Sequence, residues 1–122
     1  MNLLLIEDDV DVADVLARAF REEGHRTFVS YTGEEGLARL GQERPDAVLL
    51  DIRLPKMNGI EVLRRIRLAD KILPVIIITG LATPAEIAEA RDLGVTEVIE
   101  KSYVLKNFGE SLARAVTKHP PN

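Results

Sequence analysis

The chain has 122 residues, with sixteen Lys and Arg against twenty Asp and Glu, a net charge of −4 and no cysteine. One domain of this length buries roughly 65% of the surface its unfolded chain exposes, so no disulfide staple is needed; the lack of cysteine excludes a Cys-based zinc site, a thiol nucleophile and a redox role. An acidic balance without a basic arm argues against nucleic acid as a direct partner, and the longest uncharged stretch, Ile72 to Ala85, holds Pro74, Gly80 and Pro84 and is too short to cross a bilayer as a helix.

Met1 leads straight into the apolar run Leu3, Leu4, Leu5 and Ile6, which ends abruptly at Glu7, Asp8 and Asp9. The run is too short for a signal peptide and lacks its basic start, so a cytoplasmic protein is expected. Next, Val12, Val15, Leu16, Ala19 and Phe20 keep one helical face apolar until Gly24 stops the pattern. Thr27 to Ser30 reads as a second strand, and Thr32 with Glu35 as a capping box for a helix carrying Leu37 and Leu40. Ala47 to Leu50 is a third strand, and it too runs into an acid, Asp51. Asn58 with Glu61 starts a third helix in which Ile60, Leu63, Ile66 and Arg67 mix core and surface positions. Near its end, Arg64, Arg65 and Arg67 read as a surface that suits the helix dipole. Val75 to Ile78 is a fourth strand, closed by Thr79 and Gly80. Thr83, Pro84 and Glu86 form the clearest helix start in the chain, with Gly94 at the far end. Thr96 to Ile99 makes a fifth strand that leads to Glu100 and Lys101, and Leu105, Phe108, Leu112 and Val116 space a final helix.

Five strand–helix units predict an α/β fold: a doubly wound, five-stranded parallel sheet of flavodoxin-like type, with helices on both faces. The pattern alone does not give the strand order. Of the two common doubly wound orders, 2-1-3-4-5 fits five strands and puts its switch point between the first and third. Those are the two strands that end in carboxylates. Neighbouring parallel strands open on one rim, so several negative charges collect in one crevice, an arrangement that like-charge repulsion disfavours unless a cation neutralises it. Mg²⁺ suits such a site, because it takes oxygen ligands and bridges to phosphate oxygens. Phosphoryl transfer needs that metal, a cation and hydroxyl donors around the transferred group, and an Asp carboxylate is able to act as the nucleophile. We therefore expect Glu7 and Asp8 to hold Mg²⁺, Asp51 to bind it and accept a phosphoryl group, Thr79 to donate to a phosphoryl oxygen, and Lys101 to pair with the same group. Taken singly, Thr79 is an ordinary strand-end residue and Lys101 an ordinary solvated charge. His25 and His119 lie away from both strand ends and read as surface residues.

The stretches LLLIEDD, LLDIRLPKMNG, IIITG and VIEKS make the whole chain resemble a response regulator receiver domain, the phosphoacceptor module of bacterial two-component signalling. The order 2-1-3-4-5 is the family's own and comes with the resemblance. So does the assignment of the acidic pair to Glu7 and Asp8, the acceptor to Asp51, the switch hydroxyl to Thr79 and the Lys to Lys101. The resemblance also implies a metal ligand at the backbone carbonyl of Arg53, and Leu54, Pro55, Asn58 and Gly59 match the family's loop after the acceptor. Implied partners are a sensor histidine kinase or histidine phosphotransfer protein and a downstream protein target. A homodimer on the face of the fourth helix, fifth strand and fifth helix is a further option. Residues 1–118 would form the receiver and 119–122 a short tail or linker stub.

The chain departs from the family pattern in two places, and two further positions bear on the lifetime of the phosphoryl group. Ser102 stands where the family usually has Pro after its Lys, so a trans bond and a differently shaped loop are expected there. Val98 replaces the usual aromatic residue and cannot make the aromatic swing that accompanies the Thr shift. Arg53 and Leu81 occupy the positions that tune phospho-Asp hydrolysis, and their bulk is expected to shield the acyl phosphate from water. Rival readings fit less well. An aspartyl-phosphate phosphatase would place a second Asp where Arg53 stands, and a flavin-binding carrier would need a phosphate-cradling loop where Glu7, Asp8 and Asp9 stand. The remaining alternative is a receiver-like adaptor that binds partners without being phosphorylated, favoured by Val98 and Ser102 and opposed by the complete acid, Thr and Lys set.

Overall fold

The computed structural model describes residues 1–106. Its elements alternate strictly: β1 (Asn2–Ile6), α1 (Val10–Glu22), β2 (Arg26–Ser30), α2 (Gly33–Glu43), β3 (Ala47–Leu50), α3 (Gly59–Ala69), β4 (Val75–Thr79), α4 (Pro84–Asp92), β5 (Glu97–Glu100) and α5 (Lys101–Lys106). All pairings are parallel and the sheet order is β2-β1-β3-β4-β5. This is the doubly wound fold expected from the sequence, with β1 and β3 adjacent at the switch point.

The near-continuous apolar runs of β1, β3 and β4 follow from burial on both faces. Because side chains alternate along a strand, each run feeds two cores. Leu3, Leu5, Leu49, Ile76 and Ile78 pack with Ala13, Leu16, Ala17 and Phe20 of α1. Leu4, Ile6, Val48, Leu50 and Ile77 pack on the other side with Ile60, Val62, Leu63 and Ile66 of α3. Each of the Leu, Ile, Val and Phe side chains stabilises the fold by about 1.5–3 kcal/mol on burial. Helix starts follow the capping signals. Asp9 accepts from the N–H groups of Asp11 and Val12, Thr32 from Glu35, and Asn58 from Ile60. Thr83 and Glu86 form a reciprocal capping box on α4, with Pro84 in the first turn.

The structure corrects four expectations. The buried stripe of α1 is Ala13, Leu16, Ala17 and Phe20, while Val15 is exposed; at the helical period, position 15 falls on the side opposite that stripe. The fifth strand runs one residue later than expected, because its pairing with β4 extends to Thr79 opposite Glu100. Arg67 is not a plain surface cation: its guanidinium donates to the carbonyls of Leu93, Asp70 and Gly94 and braces the end of α3 against the end of α4. His25 is no plain surface residue, since its Nδ1 lies 3.1 Å from the Met1 amine, at the rim where the strands begin. The Lys101–Ser102 bond is trans, and β5 passes into α5 with no intervening loop. The expected core positions Phe108, Leu112 and Val116, together with His119, the boundary at 118 and the tail 119–122, lie outside the described residues.

Candidate functional site

Strand register brings the acids together. Ile6 pairs with Leu50, and the residues that follow them, Glu7 and Asp51, leave the sheet side by side. The Asp51 N–H donates to the Ile6 carbonyl at 3.1 Å, and the Glu7 N–H donates to Ser30 at 3.0 Å, so both carboxylates start from fixed backbone. Asp8 follows at the same rim. Glu7, Asp8 and Asp51 each offer a carboxylate oxygen, and these atoms lie within 4.8 Å of one another. Glu7 is only 1% exposed and Asp51 4%, whereas Asp8 faces solvent. A buried pair of carboxylates with one open acid beside it is a costly arrangement without counter-charge.

Lys101 supplies part of that charge. Pairing of Thr79 with Glu100 carries β5 to the same rim, and the next residue is Lys101. Its Nζ lies 2.7 Å from Glu7 Oε1 and 3.0 Å from Asp51 Oδ2. Among the described residues one cation faces three acids, which leaves the cluster negative. Burial, with the Asp51 charge beside it, pushes the Glu7 carboxyl up to about 7 even though Lys101 pulls the other way. Burial alone would lower the Lys101 ammonium, but its bonds to Glu7 and Asp51 hold it above its ordinary value. A donor set made of carboxylates on an excess of negative charge fits Mg²⁺ by its chemistry.

The loop after β3 completes the site. Asp51 Oδ1 accepts from the Arg53 N–H at 3.1 Å, so both Asp51 oxygens are held, one by the loop and one by Lys101. The loop folds back through the Ile52 carbonyl, which accepts from the Leu54 and Gly59 N–H groups at 3.1 and 2.8 Å. Gly59 is required there, since a Cβ would strike the Asp51 carbonyl oxygen and come within 2.6 Å of Ile52 Cα. Sequence reading matched Gly59 to a loop without seeing this contact, which no local pattern reveals.

Thr79, at the end of β4, directs its hydroxyl at its own loop. It donates to the Leu81 carbonyl at 3.0 Å and receives the Leu81 N–H at 3.3 Å. The structure thus brings Glu7, Asp8, Asp51, Lys101 and the Arg53 backbone together directly, with Thr79 on the same rim but turned to Leu81. The Arg53 side chain runs to Glu86, a residue the sequence reading credited only with capping: Nη1 meets Oε2 at 2.8 Å and Nη2 meets Oε1 at 2.7 Å. Leu81 is 76% exposed. Val98 is half-buried against the α3-side core.

The profile of the response regulator receiver domain family matches residues 3–113. Sporulation initiation phosphotransferase F of Bacillus subtilis is 33% identical over 120 residues, covering 98% of this chain and 94% of that protein. Transcriptional regulatory protein AfsQ1 of Streptomyces coelicolor is 37% identical over 100 residues, 82% of this chain but 44% of that protein, so the chain spans under half of this longer relative. Among solved structures, a CheY-like receiver domain protein from Methanospirillum hungatei superposes with a TM-score of 0.90 at 24% identity, covering 97% of this chain and 94% of that one. NtrX from Brucella abortus gives 0.87 at 28% identity, with 97% of this chain and 28% of that one covered.

Proposed function

The chain belongs to the response regulator receiver domain family, and on that premise we propose that it is a Mg²⁺-dependent phosphoacceptor switch that takes a phosphoryl group on Asp51. The observation that carries this reading is the Asp51 carboxylate: buried, held at both oxygens, and flanked by Glu7, Asp8 and Lys101 at a single strand rim. Glu7, Asp8, Asp51 and the Arg53 carbonyl would hold Mg²⁺. When bound, the ion neutralises charge on the transferring phosphoryl oxygens.

The chain's own residues do the rest. Fixed backbone around Asp51 presents its carboxylate in line with an incoming phosphoryl group. An Asp51 oxygen forms the bond to phosphorus as the donor's bond to phosphorus breaks, and the donor's histidine nitrogen leaves with the electron pair. Lys101, already bonded to Asp51, pairs with the charge that the group brings. Thr79 reaches a phosphoryl oxygen by exchanging its bonds to Leu81, which draws residues 79–81 toward the site. The reaction is confined to transfer onto its own Asp51 and slow hydrolysis there, so the protein is a switch and not an enzyme acting on other substrates.

The donor is a sensor histidine kinase or histidine phosphotransfer protein, and output passes through protein contacts on the face of α4, β5 and α5, the face that would also serve a homodimer. Residues 1–118 are the receiver unit, with 119–122 a tail or linker stub. No helix among the described residues is long and apolar enough to cross a membrane. The proposed place of action is the cytoplasm, where such signalling modules meet their kinases. The test is incubation with Mg²⁺ and acetyl phosphate, followed by intact mass measurement. Wild type gains an acid-stable, base-labile phosphoryl group and Asp51→Asn does not. Equal labelling of both, or of neither, overturns the reading, and the second result favours the phosphorylation-independent adaptor.

A further inference from the structure

Ala90 is the one fully buried residue of α4, and three arginines add polar ties to this helix. Arg53 grips Glu86 in the first turn, Arg64 reaches Glu89 one turn on, and Arg67 holds the carbonyls of Leu93 and Gly94 at the end. Arg64 and Arg67 belong to α3, whereas Arg53 belongs to the loop that carries Asp51. The first tie is therefore the one made by a residue of the acceptor loop, whose backbone N–H donates to Asp51 Oδ1 at 3.1 Å.

We propose that the Arg53–Glu86 pair is a latch that phosphorylation of Asp51 opens: the guanidinium leaves Glu86 for the phosphoryl oxygens and frees the first turn of α4 from the acceptor loop. This inference rests on the phosphoacceptor reading above and extends it to a route of output.

Charge makes the exchange favourable. An aspartate carries about one negative charge and a phosphorylated side chain about 1.5 to 2, with three strong acceptor oxygens. Lys101, the cation already at the site, is shared between Glu7 and Asp51 before any phosphoryl group arrives. Arg53 offers a planar fork suited to two phosphoryl oxygens and is two residues from the acceptor. What it gives up is replaceable. The pair is a two-bond fork with Arg53 47% and Glu86 18% exposed, partly screened by water, and the phosphoryl group offers the same fork geometry with more charge. Glu86 does not lose its fold role on release, since its Oε1 still accepts the Thr83 N–H and Thr83 Oγ1 still accepts the Glu86 N–H. The freed turn thus stays helical but is no longer tied to residue 53.

The test is amide hydrogen exchange across residues 82–89, with intact mass recorded on the same samples. Wild type, Glu86→Gln and Arg53→Gln are compared with and without Mg²⁺ and acetyl phosphate. Gln at position 86 keeps the capping box while removing the charge. We expect exchange in this segment to rise several-fold in phosphorylated wild type. Both variants should already show the raised rate unphosphorylated, and phosphorylated Glu86→Gln should show no further rise. An adduct on wild type with unchanged exchange overturns the latch and leaves the phosphoacceptor reading standing. An equal phosphorylation-linked rise in wild type and Glu86→Gln also overturns it. Absence of any adduct overturns the phosphoacceptor reading and the latch with it.

Discussion

Replacing Glu7 by Gln keeps the shape of the side chain and removes a carboxyl that the fold holds far from its ordinary state. In the native protein that carboxyl titrates at about 7 against an ordinary 4.5. A group whose native pKa is raised favours the fold below its unfolded pKa and loses that contribution as pH climbs to the native value. At about 1.4 kcal/mol per pH unit, the shift amounts to about 3 kcal/mol withdrawn between roughly pH 4.5 and pH 7. Lys101, whose pKa is also raised, titrates far above this window and does not mask it. Urea unfolding in the presence of a chelator, at half-unit steps from pH 4.5 to pH 8, measures the effect as the stability difference between Glu7→Gln and wild type. That difference should move in favour of Gln by about 3 kcal/mol across the window and level off above pH 7. Adding Mg²⁺ at pH 8 should restore wild type, by about 2.7 kcal/mol at a hundredfold excess over Kd, and restore Glu7→Gln far less. A stability difference that stays flat with pH refutes the claim that burial beside Asp51 drives the Glu7 shift.

Gly59→Ala should destabilise the fold by at least about 2 kcal/mol and abolish labelling of Asp51, because the added methyl strikes the Asp51 and Ile52 backbone; urea midpoints within experimental scatter of wild type would contradict this. Thr83→Ala removes the N-cap of α4 and should cost about 1 kcal/mol, read by the same method. Arg67→Ala leaves the carbonyls of Leu93, Asp70 and Gly94 without their shared donor and should cost about 1–3 kcal/mol. Its loss should also raise amide exchange at residues 91–95 and leave that at 10–20 unchanged. Leu81→Glu should shorten the life of the phosphorylated protein, followed by loss of the adduct mass over time; unchanged decay would remove the idea that Leu81 and Arg53 screen the acyl phosphate.

The fold was legible because the strands at the centre of the sheet are buried on both faces. Leu3 to Ile6, Ala47 to Leu50 and Val75 to Ile78 have to be apolar throughout, and an acid at the end of such a run stands out. Register then does what no local signal could, pairing Ile6 with Leu50 so that Glu7 and Asp51 meet. Strand order came with the family resemblance, since hydrophobic pattern carries no record of which strand lies beside which. Edges were harder to read. β5 is an edge strand with Glu97 and Glu100 in it, and its start was displaced by one residue. Val15 falls outside the buried stripe of α1 because that stripe is carried in part by Ala13 and Ala17, which are weak hydrophobic signals in a sequence.

Within the site, the acids were visible at their strand ends, whereas their supports were not. Arg53 and Glu86 are 33 residues apart, and each already had a sufficient local explanation, as a loop residue and as half of a capping box. Arg67 looked like a helix-end cation because its three carbonyl partners come from outside its helix or just beyond its end. Long-range polar contacts of this sort depend on side-chain reach after folding, and sequence spacing does not encode it.

The central claim, that Asp51 receives the phosphoryl group at a Mg²⁺-dependent site, is tested most directly by borohydride trapping. Reduction converts an aspartyl phosphate to homoserine, and peptide sequencing by mass spectrometry locates it. Wild type treated with acetyl phosphate and Mg²⁺ should show homoserine at position 51, and omission of Mg²⁺ should remove it. Homoserine at another position, or at 51 equally with and without Mg²⁺, would contradict the account.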